Sequence, residues 1–235
     1  MNRIGIIGGL SYQSSKHYYD RLNYEVNKRL GGDASADMVL VSVNFEEFNS
    51  AMKAGRDNWL IWQFQKIAEH LAKMGCEYMA VASNTMHKYT ENLMYNSGYE
   101  PTPGFVDIAE CAGMACIKRD IRRVLLIGTA MTMTEDFMKQ KLRAQGIEVV
   151  NAFNKREIEK INRIIFNELC RGRVTVKSSQ WLYELLEAAV AETKAEGVIL
   201  GCTELNMIIR QRDVQVPVID TTEEHVKRLV ELCLD

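Results

Sequence analysis

Short apolar runs alternate with amphipathic helical patterns along the whole of this 235-residue chain. Continuous apolar strands separated by helices are typical of parallel sheets that carry helices on both faces. We therefore predict an α/β fold. The predicted strands are residues 3–7, 38–43, 78–82, 124–127, 147–152, 198–200 and 216–220, and the clearest helices are residues 14–30, 57–74, 107–119 and 177–194.

The one conspicuous break in this alternation combines Pro101 and Pro103 with Gly98 and Gly104. Proline and glycine interrupt regular structure, so we interpret this segment as a linker. The strand and helix pattern begins again beyond it. The chain is therefore expected to consist of two similar halves.

Composition excludes several functions. A net charge of −2 and a pI near 6.1 give no electrostatic reason to expect nucleic acid or an anionic membrane as a partner. The first strand runs into Gly8-Gly9 without a G-x-G-x-x-G pattern, which argues against a nicotinamide cofactor. The six cysteines form no zinc-type pairs, so we predict no metal and a reduced, cytoplasmic setting.

Two predicted strands end in the same way, one in each half. Ala82-Ser83-Asn84-Thr85 and Gly201-Cys202-Thr203-Glu204 both place a nucleophile-type residue and polar residues after an apolar run. Ligands bind at the carboxyl ends of strands in open α/β sheets. If a helix follows each strand, its N-terminus would attract a carboxylate and favour the Cys202 thiolate. Proton transfer on two faces of one carbon, which inverts a stereocentre, is the chemistry such a pair can perform.

The chain resembles the aspartate/glutamate racemase family, cofactor-independent enzymes of the wider Asp/Glu/hydantoin racemase group. The resemblance rests on Ile4 to Gly9, Asn84-Thr85-Met86-His87, Gly128-Thr129 and Gly201 to Leu205. It implies two pseudo-symmetric α/β domains, an active site in the cleft between them, no cofactor and a homodimer. The implied activity is racemisation of an amino-acid or dicarboxylate substrate, with aspartate or glutamate expected first. The first domain would be residues 1–98 completed by the C-terminal strand and helix at 215–235, and the second would be residues 99–214.

The resemblance also implies roles for individual residues. Cys202 would be one of two catalytic acid/base residues, and the binders of the substrate α-carboxylate would be Asn84, Thr85 and Thr203. The residues themselves suggest further candidates: a ligand contact at Thr129, a close backbone approach at Gly9, and Lys53 as a weak candidate for a second carboxylate. Glu204 is either a catalytic acid or a partner of a helix dipole.

The departure from the family pattern is Ser83, which stands where the first catalytic cysteine is expected. Three interpretations of Ser83 compete. Either the chain belongs to a subgroup with a working Ser/Cys pair, or the serine is a substitution that traps substrate, or the enzyme protonates its substrate from one face only. His87, four residues later, could activate the hydroxyl or simply bond the backbone. Two other functions stay open: a one-cysteine decarboxylase or cis-trans isomerase of a dicarboxylic acid, and a non-catalytic amino-acid-binding protein.

Overall fold

The computed structural model describes residues 1–90, 93, 103–150 and 152–235. They form two four-stranded parallel sheets and divide into two compact units. Unit 1 is Met1–Ile108 with His225–Asp235, and unit 2 is Ala109–Glu224. The predicted α/β class is confirmed. No helix of the described ranges is long and apolar enough to cross a membrane.

The sheet of unit 1 has the strand order β2-β1-β3-β4 with every neighbouring pair parallel. All four carboxyl ends therefore lie along one edge of this sheet. The elements are β1 (Ile4–Gly8), α1 (Tyr12–Leu30), β2 (Met38–Ser42), α2 (Phe45–Lys53), α3 (Asp57–Lys73), β3 (Tyr78–Val81), a 3₁₀ turn (Thr85–Tyr89) and β4 (Gly104–Phe105).

Helix α2 is not among the helices predicted from the sequence. Asn44 caps this helix, because its side chain accepts a hydrogen bond from the Glu46 backbone N–H. Phe48 and Ala51 anchor it in the core of unit 1. The predicted helix from Asp57 is confirmed as α3, whose Leu60, Phe64, Ile67 and Leu71 are buried in the same core.

The sheet of unit 2 repeats the arrangement with the order β6-β5-β7-β8, again all parallel. Its elements are α4 (Ile108–Lys118), β5 (Arg123–Gly128), α5 (Ala130–Thr134), α6 (Phe137–Ala144), β6 (Glu148–Val150), α7 (Lys155–Asn167), α8 (Val176–Thr193), β7 (Gly197–Gly201), a 3₁₀ turn (Leu205–Met207), β8 (Val218–Asp220) and α9 (Thr221–Leu234). Successive residues of β5 serve opposite faces: Leu125 packs with α7 and α8, and Val124 packs with α4 and α6.

Two helices follow a strand of one sheet and pack in the other unit. Helix α4 follows β4 of the first sheet, yet Ala112 and Cys116 lie in the core of unit 2. Helix α9 follows β8 of the second sheet and belongs to unit 1 from His225 onward. The Asn2 backbone N–H donates to the Cys233 carbonyl at 2.8 Å, which ties α9 to β1.

The predicted domain limits need a correction at the C-terminal strand. The sequence interpretation placed all of 215–235 in the first domain, whereas β8 pairs with β7 in the second sheet. The physical reason is local: the Val198 N–H donates to the Pro217 carbonyl, and Ile219 packs in the core of unit 2. The predicted linker falls largely on 94–102, outside the described residues, and Gly104 begins β4.

Candidate active site

The carboxyl end of β3 carries Ser83, and side chains fix the backbone on both sides of it. Ser14, in the first turn of α1, donates its hydroxyl hydrogen to the Ala82 carbonyl at 2.8 Å. His87 donates from Nδ1 to the Ser83 carbonyl at 2.7 Å. Two consecutive carbonyl groups are thereby held, and the half-exposed Ser83 side chain stands on a fixed backbone.

The hydrogen bonds of His87 also define its tautomer. Its Nε2 lies 3.3 Å from the backbone nitrogen of Ile108, and a backbone N–H can only donate. Nε2 is therefore unprotonated, and the ring proton resides on Nδ1. Because both ring nitrogens have backbone partners, the alternative in which His87 bonds the backbone fits the structure better than activation of the Ser83 hydroxyl.

Asn84 is the most conspicuous polar side chain of unit 1. It is only 3% exposed, and neither its Oδ1 nor its Nδ2 has a hydrogen-bond partner in the part of the chain that the structure describes. Each unsatisfied buried polar atom costs about 1–3 kcal/mol. Such a carboxamide is suited to a ligand, and Thr85, also buried, comes directly after it.

Gly9 holds the end of β1 close to the end of β2. Its φ of +78° favours glycine, and a Cβ there would lie 2.2 Å from the Val43 carbonyl oxygen. The Gly9 N–H donates to the Ser15 hydroxyl oxygen at 2.7 Å. The backbone that approaches Gly9 in the structure is that of Val43, and the close approach of a ligand expected at Gly9 stays a prediction.

The carboxyl end of β7 places Cys202 beside a buried carboxylate. The thiol is 6% exposed and donates from Sγ to Oε2 of Glu204 at 3.1 Å. The Thr203 hydroxyl donates to the same oxygen at 2.7 Å. The second carboxylate oxygen of Glu204, Oε1, is buried and has no hydrogen-bond partner among the described residues.

The expected thiolate at Cys202 requires a correction. Burial raises the pKa of this thiol well above its usual value, and the charge of Glu204 raises the pKa further. The helices expected after Ser83 and Cys202 are absent from the described chain, where short 3₁₀ turns at Thr85–Tyr89 and Leu205–Met207 take their places. Neither turn supplies a helix dipole, so the resting form of Cys202 is the neutral thiol.

The predicted ligand contacts Thr129 and Lys53 both lie at helix ends. Thr129 caps α5: its Oγ1 accepts from the Thr132 N–H at 3.2 Å and lies 3.0 Å from the Thr132 hydroxyl oxygen. Thr129 is therefore the N-cap of α5. Lys53 ends α2 with an exposed side chain.

Sequence reasoning missed two residues near strand ends. Ser14 fixes the backbone beside Ser83, and its one sequence signal is its place in the helix that follows Gly8-Gly9. Asn49, on α2, has a buried Oδ1 without a hydrogen-bond partner in the described ranges. Those ranges contain no group of three His, Cys, Asp or Glu side chains that could hold a metal ion.

The two strand ends occupy equivalent positions in their sheets. β3 is third in the order β2-β1-β3-β4, and β7 is third in the order β6-β5-β7-β8. Ser83 therefore corresponds to Cys202 by topology. Each is followed by buried polar residues and a 3₁₀ turn.

Comparison with known proteins agrees with this repeated geometry. A family model described as Asp/Glu/hydantoin racemase matches residues 7–229. The broad specificity amino-acid racemase RacX of Bacillus subtilis is 21% identical over 232 residues, which cover 93% of this chain and 92% of the relative. The crystal structure of a candidate Asp/Glu racemase from Yersinia pestis has a TM-score of 0.90 at 31% identity, and that of an aspartate racemase homologue from Pyrococcus horikoshii has 0.82 at 36%; both cover 100% of each chain.

Proposed function

Because the chain belongs to the Asp/Glu/hydantoin racemase family, we propose that it is an amino-acid racemase that transfers the α-proton without a cofactor. The observation that carries the proposal is the topological equivalence of Ser83 and Cys202 at the third strand of each sheet. We propose that both serve one substrate carbon from opposite faces. The Bacillus subtilis relative, named a broad specificity amino-acid racemase, supports the reaction without fixing the side chain of the substrate.

In this mechanism the neutral Cys202 thiol first passes its proton to Glu204, to which it is hydrogen-bonded. The thiolate so formed takes the hydrogen from Cα of one enantiomer as a proton. The half-exposed Ser83 hydroxyl gives a proton to the opposite face of Cα and regains one from solvent. Glu204 releases to solvent the proton that it took from Cys202, so that every group ends in its starting state. The reverse reaction uses the same groups in the opposite order.

The negative charge that develops on the substrate α-carboxylate needs donors at fixed positions. The unpartnered Asn84 carboxamide offers such donors. The buried hydroxyls of Thr85 and Thr203 are the further candidates. The carboxyl oxygens would thereby be stabilised while Cα carries carbanion character.

The test is incorporation of solvent deuterium at Cα, followed by NMR for both enantiomers of a panel of acidic and neutral amino acids. We expect exchange with the wild-type enzyme and a loss of at least about 100-fold in Cys202→Ala, as for removal of a general base. Cys116→Ala, which removes a buried thiol from the other core cluster of the same unit, is the matched control. Absence of exchange with every amino acid would reject the proposal.

A one-cysteine reaction is the second candidate, because Cys202 supplies a thiol and Ser83 does not. A decarboxylase would release CO₂ from a malonate, and an isomerase would interconvert maleate and fumarate. Tight amino-acid binding without proton exchange would instead indicate a binding protein. The same purified protein serves all three measurements.

We further propose that the protein acts as a homodimer, as the resemblance implies, in the reduced cytoplasmic setting that its scattered cysteines indicate. Sedimentation velocity at micromolar concentration measures the oligomeric state directly. A monomer at all concentrations that support exchange would reject this assembly.

A further inference from the structure

A second buried carboxamide, that of Asn49, provides evidence about which kind of side chain the substrate carries. Asn49 lies on α2, which begins three residues after β2 ends at the carboxyl edge of the first sheet. It is 9% exposed, and its Oδ1 has no hydrogen-bond partner within the described residues. Asn84 follows β3 at the same edge, and its side chain also lacks a hydrogen-bond partner among the residues that the structure describes.

Packing alone does not require an amide at this position. Phe48 and Ala51 supply the contacts of α2 with the core of unit 1. Asn49 lies on the adjoining face, between Phe45 and Met52 in helical spacing. An apolar residue of similar size would avoid the cost of about 1–3 kcal/mol for an unpaired buried amide oxygen. The amide is therefore better explained by a ligand that pairs with it.

The charges of the buried residues restrict that ligand. The buried residues of the described chain include the carboxylates of Asp107 and Glu204 but no lysine or arginine. A second carboxylate buried without a cation loses several kcal/mol of hydration. Lys53 is exposed, and the half-buried Lys88 lies 3.7 Å from a carboxylate oxygen of Asp57.

We propose that Asn49 binds the side chain of the substrate and that the enzyme prefers amino acids with an uncharged hydroxyl or carboxamide side chain over aspartate and glutamate. The free Oδ1 of Asn49 accepts a hydrogen bond from such a group, whereas an ionised carboxylate has no hydrogen to donate. This inference rests on the proposed racemase function and names its substrate class.

Matched substrates test the preference directly. Asparagine and aspartate differ in charge at nearly constant shape, as do glutamine and glutamate. We expect kcat/KM for α-proton exchange to be about 10-fold or more higher for the amide of at least one pair, which corresponds to about 1.4 kcal/mol. Faster exchange of the acid in both pairs would overturn the substrate class and leave the racemase function intact. No exchange with any amino acid would reject both.

The Asn49→Ala variant tests the position. We expect kcat/KM for the preferred polar amino acid to fall about 10-fold, while kcat/KM for alanine, which has no side-chain hydrogen bond to lose, stays unchanged. Asn58→Ala, an exposed change on α3, is the matched control and should alter neither value. An equal fall for both substrates would indicate a structural role for Asn49 and contradict the inference. The wild-type comparison of acids and amides holds even if the variant does not fold.

Discussion

At the scale of single residues, the pairing of Cys202 with Glu204 determines how the thiol can react. A buried thiol with a raised pKa is a poor base until its proton has an acceptor. Glu204 Oε2 lies within hydrogen-bond distance of Sγ, and its Oε1 has no partner within the described ranges. This geometry supports the proposal that Glu204 is the proton acceptor for Cys202.

Glu204→Gln keeps the shape of this side chain and removes its basicity. We expect the rate of α-proton exchange to fall about 100-fold or more, at the lower end of what general-base groups contribute. Deuterium exchange measured from pH 6 to 10 should show partial recovery at high pH, where the thiol ionises unaided. Glu192→Gln, an exposed change on α8, is the control. An unchanged rate would remove Glu204 from the mechanism.

Ser83→Ala separates the two faces of the reaction. With the hydroxyl gone, Cys202 can still remove and return the proton of one enantiomer, so that enantiomer should exchange deuterium. Racemisation, measured by chiral chromatography, should fall about 100-fold. Equal racemisation rates in Ser83→Ala and the wild type would show that protonation uses another group.

Ser83→Cys separates a working Ser/Cys pair from a serine that impairs the enzyme or traps its substrate. Thiols and hydroxyls differ in size and in acidity, so a pocket built around a hydroxyl should accept the thiol poorly. We expect slower racemisation than in the wild type, as for a working Ser/Cys pair. A large increase would mean that the serine form is impaired or traps its substrate.

At the scale of elements, the backbone after β3 is held by hydrogen bonds from side chains of α1 and of the 3₁₀ turn. Ser14 of α1 and His87 of the 3₁₀ turn bind successive carbonyl groups beside Ser83. His87 also accepts from the first residue of α4, Ile108. One imidazole thus joins three segments of the chain.

His87→Phe should destabilise the fold through these contacts. The change leaves the Ser83 carbonyl and the Ile108 N–H without their hydrogen-bond partner on the ring. Each buried group left unsatisfied lowers the free energy of unfolding by about 1–3 kcal/mol. Urea unfolding followed by circular dichroism measures the loss, and His70→Phe, an exposed change on α3, provides the comparison. Unaltered stability combined with a changed pH profile of exchange would instead assign His87 a chemical role.

The elements also show what periodicity can and cannot predict. The buried stripe of α3 and the apolar run of β7 are encoded by adjacent residues, so they were predicted correctly. α2 was missed because Glu46, Glu47 and Ser50 dominate its polar face. The 3₁₀ turn after Cys202 depends on close packing of Leu205 in the core of unit 2, which no local pattern reveals.

Site prediction had the same limits. A cysteine at a strand end is visible in the sequence, and Cys202 was identified in that way. The bond between its thiol and Glu204 depends on a turn geometry that spacing alone does not define. Within the described residues, Asn49 Oδ1 and both polar atoms of the Asn84 side chain lack a hydrogen-bond partner, a property of the tertiary packing that sequence spacing does not reveal.

At the scale of the whole molecule, a buried histidine joins the C-terminal helix to unit 1. His225 Nε2 donates to the Val106 carbonyl at 2.9 Å, and Nδ1 accepts from the Tyr18 hydroxyl at 2.8 Å. The His87 ring lies 5.9 Å away. Burial first, and His87 second, lower the pKa of His225 to about 3, while Val106 and Asp107 act in the opposite direction.

This pKa makes stability depend on pH. The unfolded chain protonates His225 below about pH 6.5, whereas the folded chain does so only near pH 3, so acid favours unfolding. The stabilisation is complete above pH 6.5 and should fall by about 2 kcal/mol by pH 5. Urea titrations at several pH values should show this slope in the wild type and in His70→Gln. A wild-type slope retained in His225→Gln would contradict the assignment.

Helices α4 and α9 each follow a strand of one sheet and pack in the other unit, and this arrangement affects how the chain folds during translation. Unit 1 needs residues 225–235, and unit 2 is complete only at residue 224. The first sheet is therefore synthesised long before this segment, and Tyr18 finds its partner His225 only after all of unit 2 has been made. We expect chains stopped after residue 108 to hold an unfinished first half, open to proteases and chaperones.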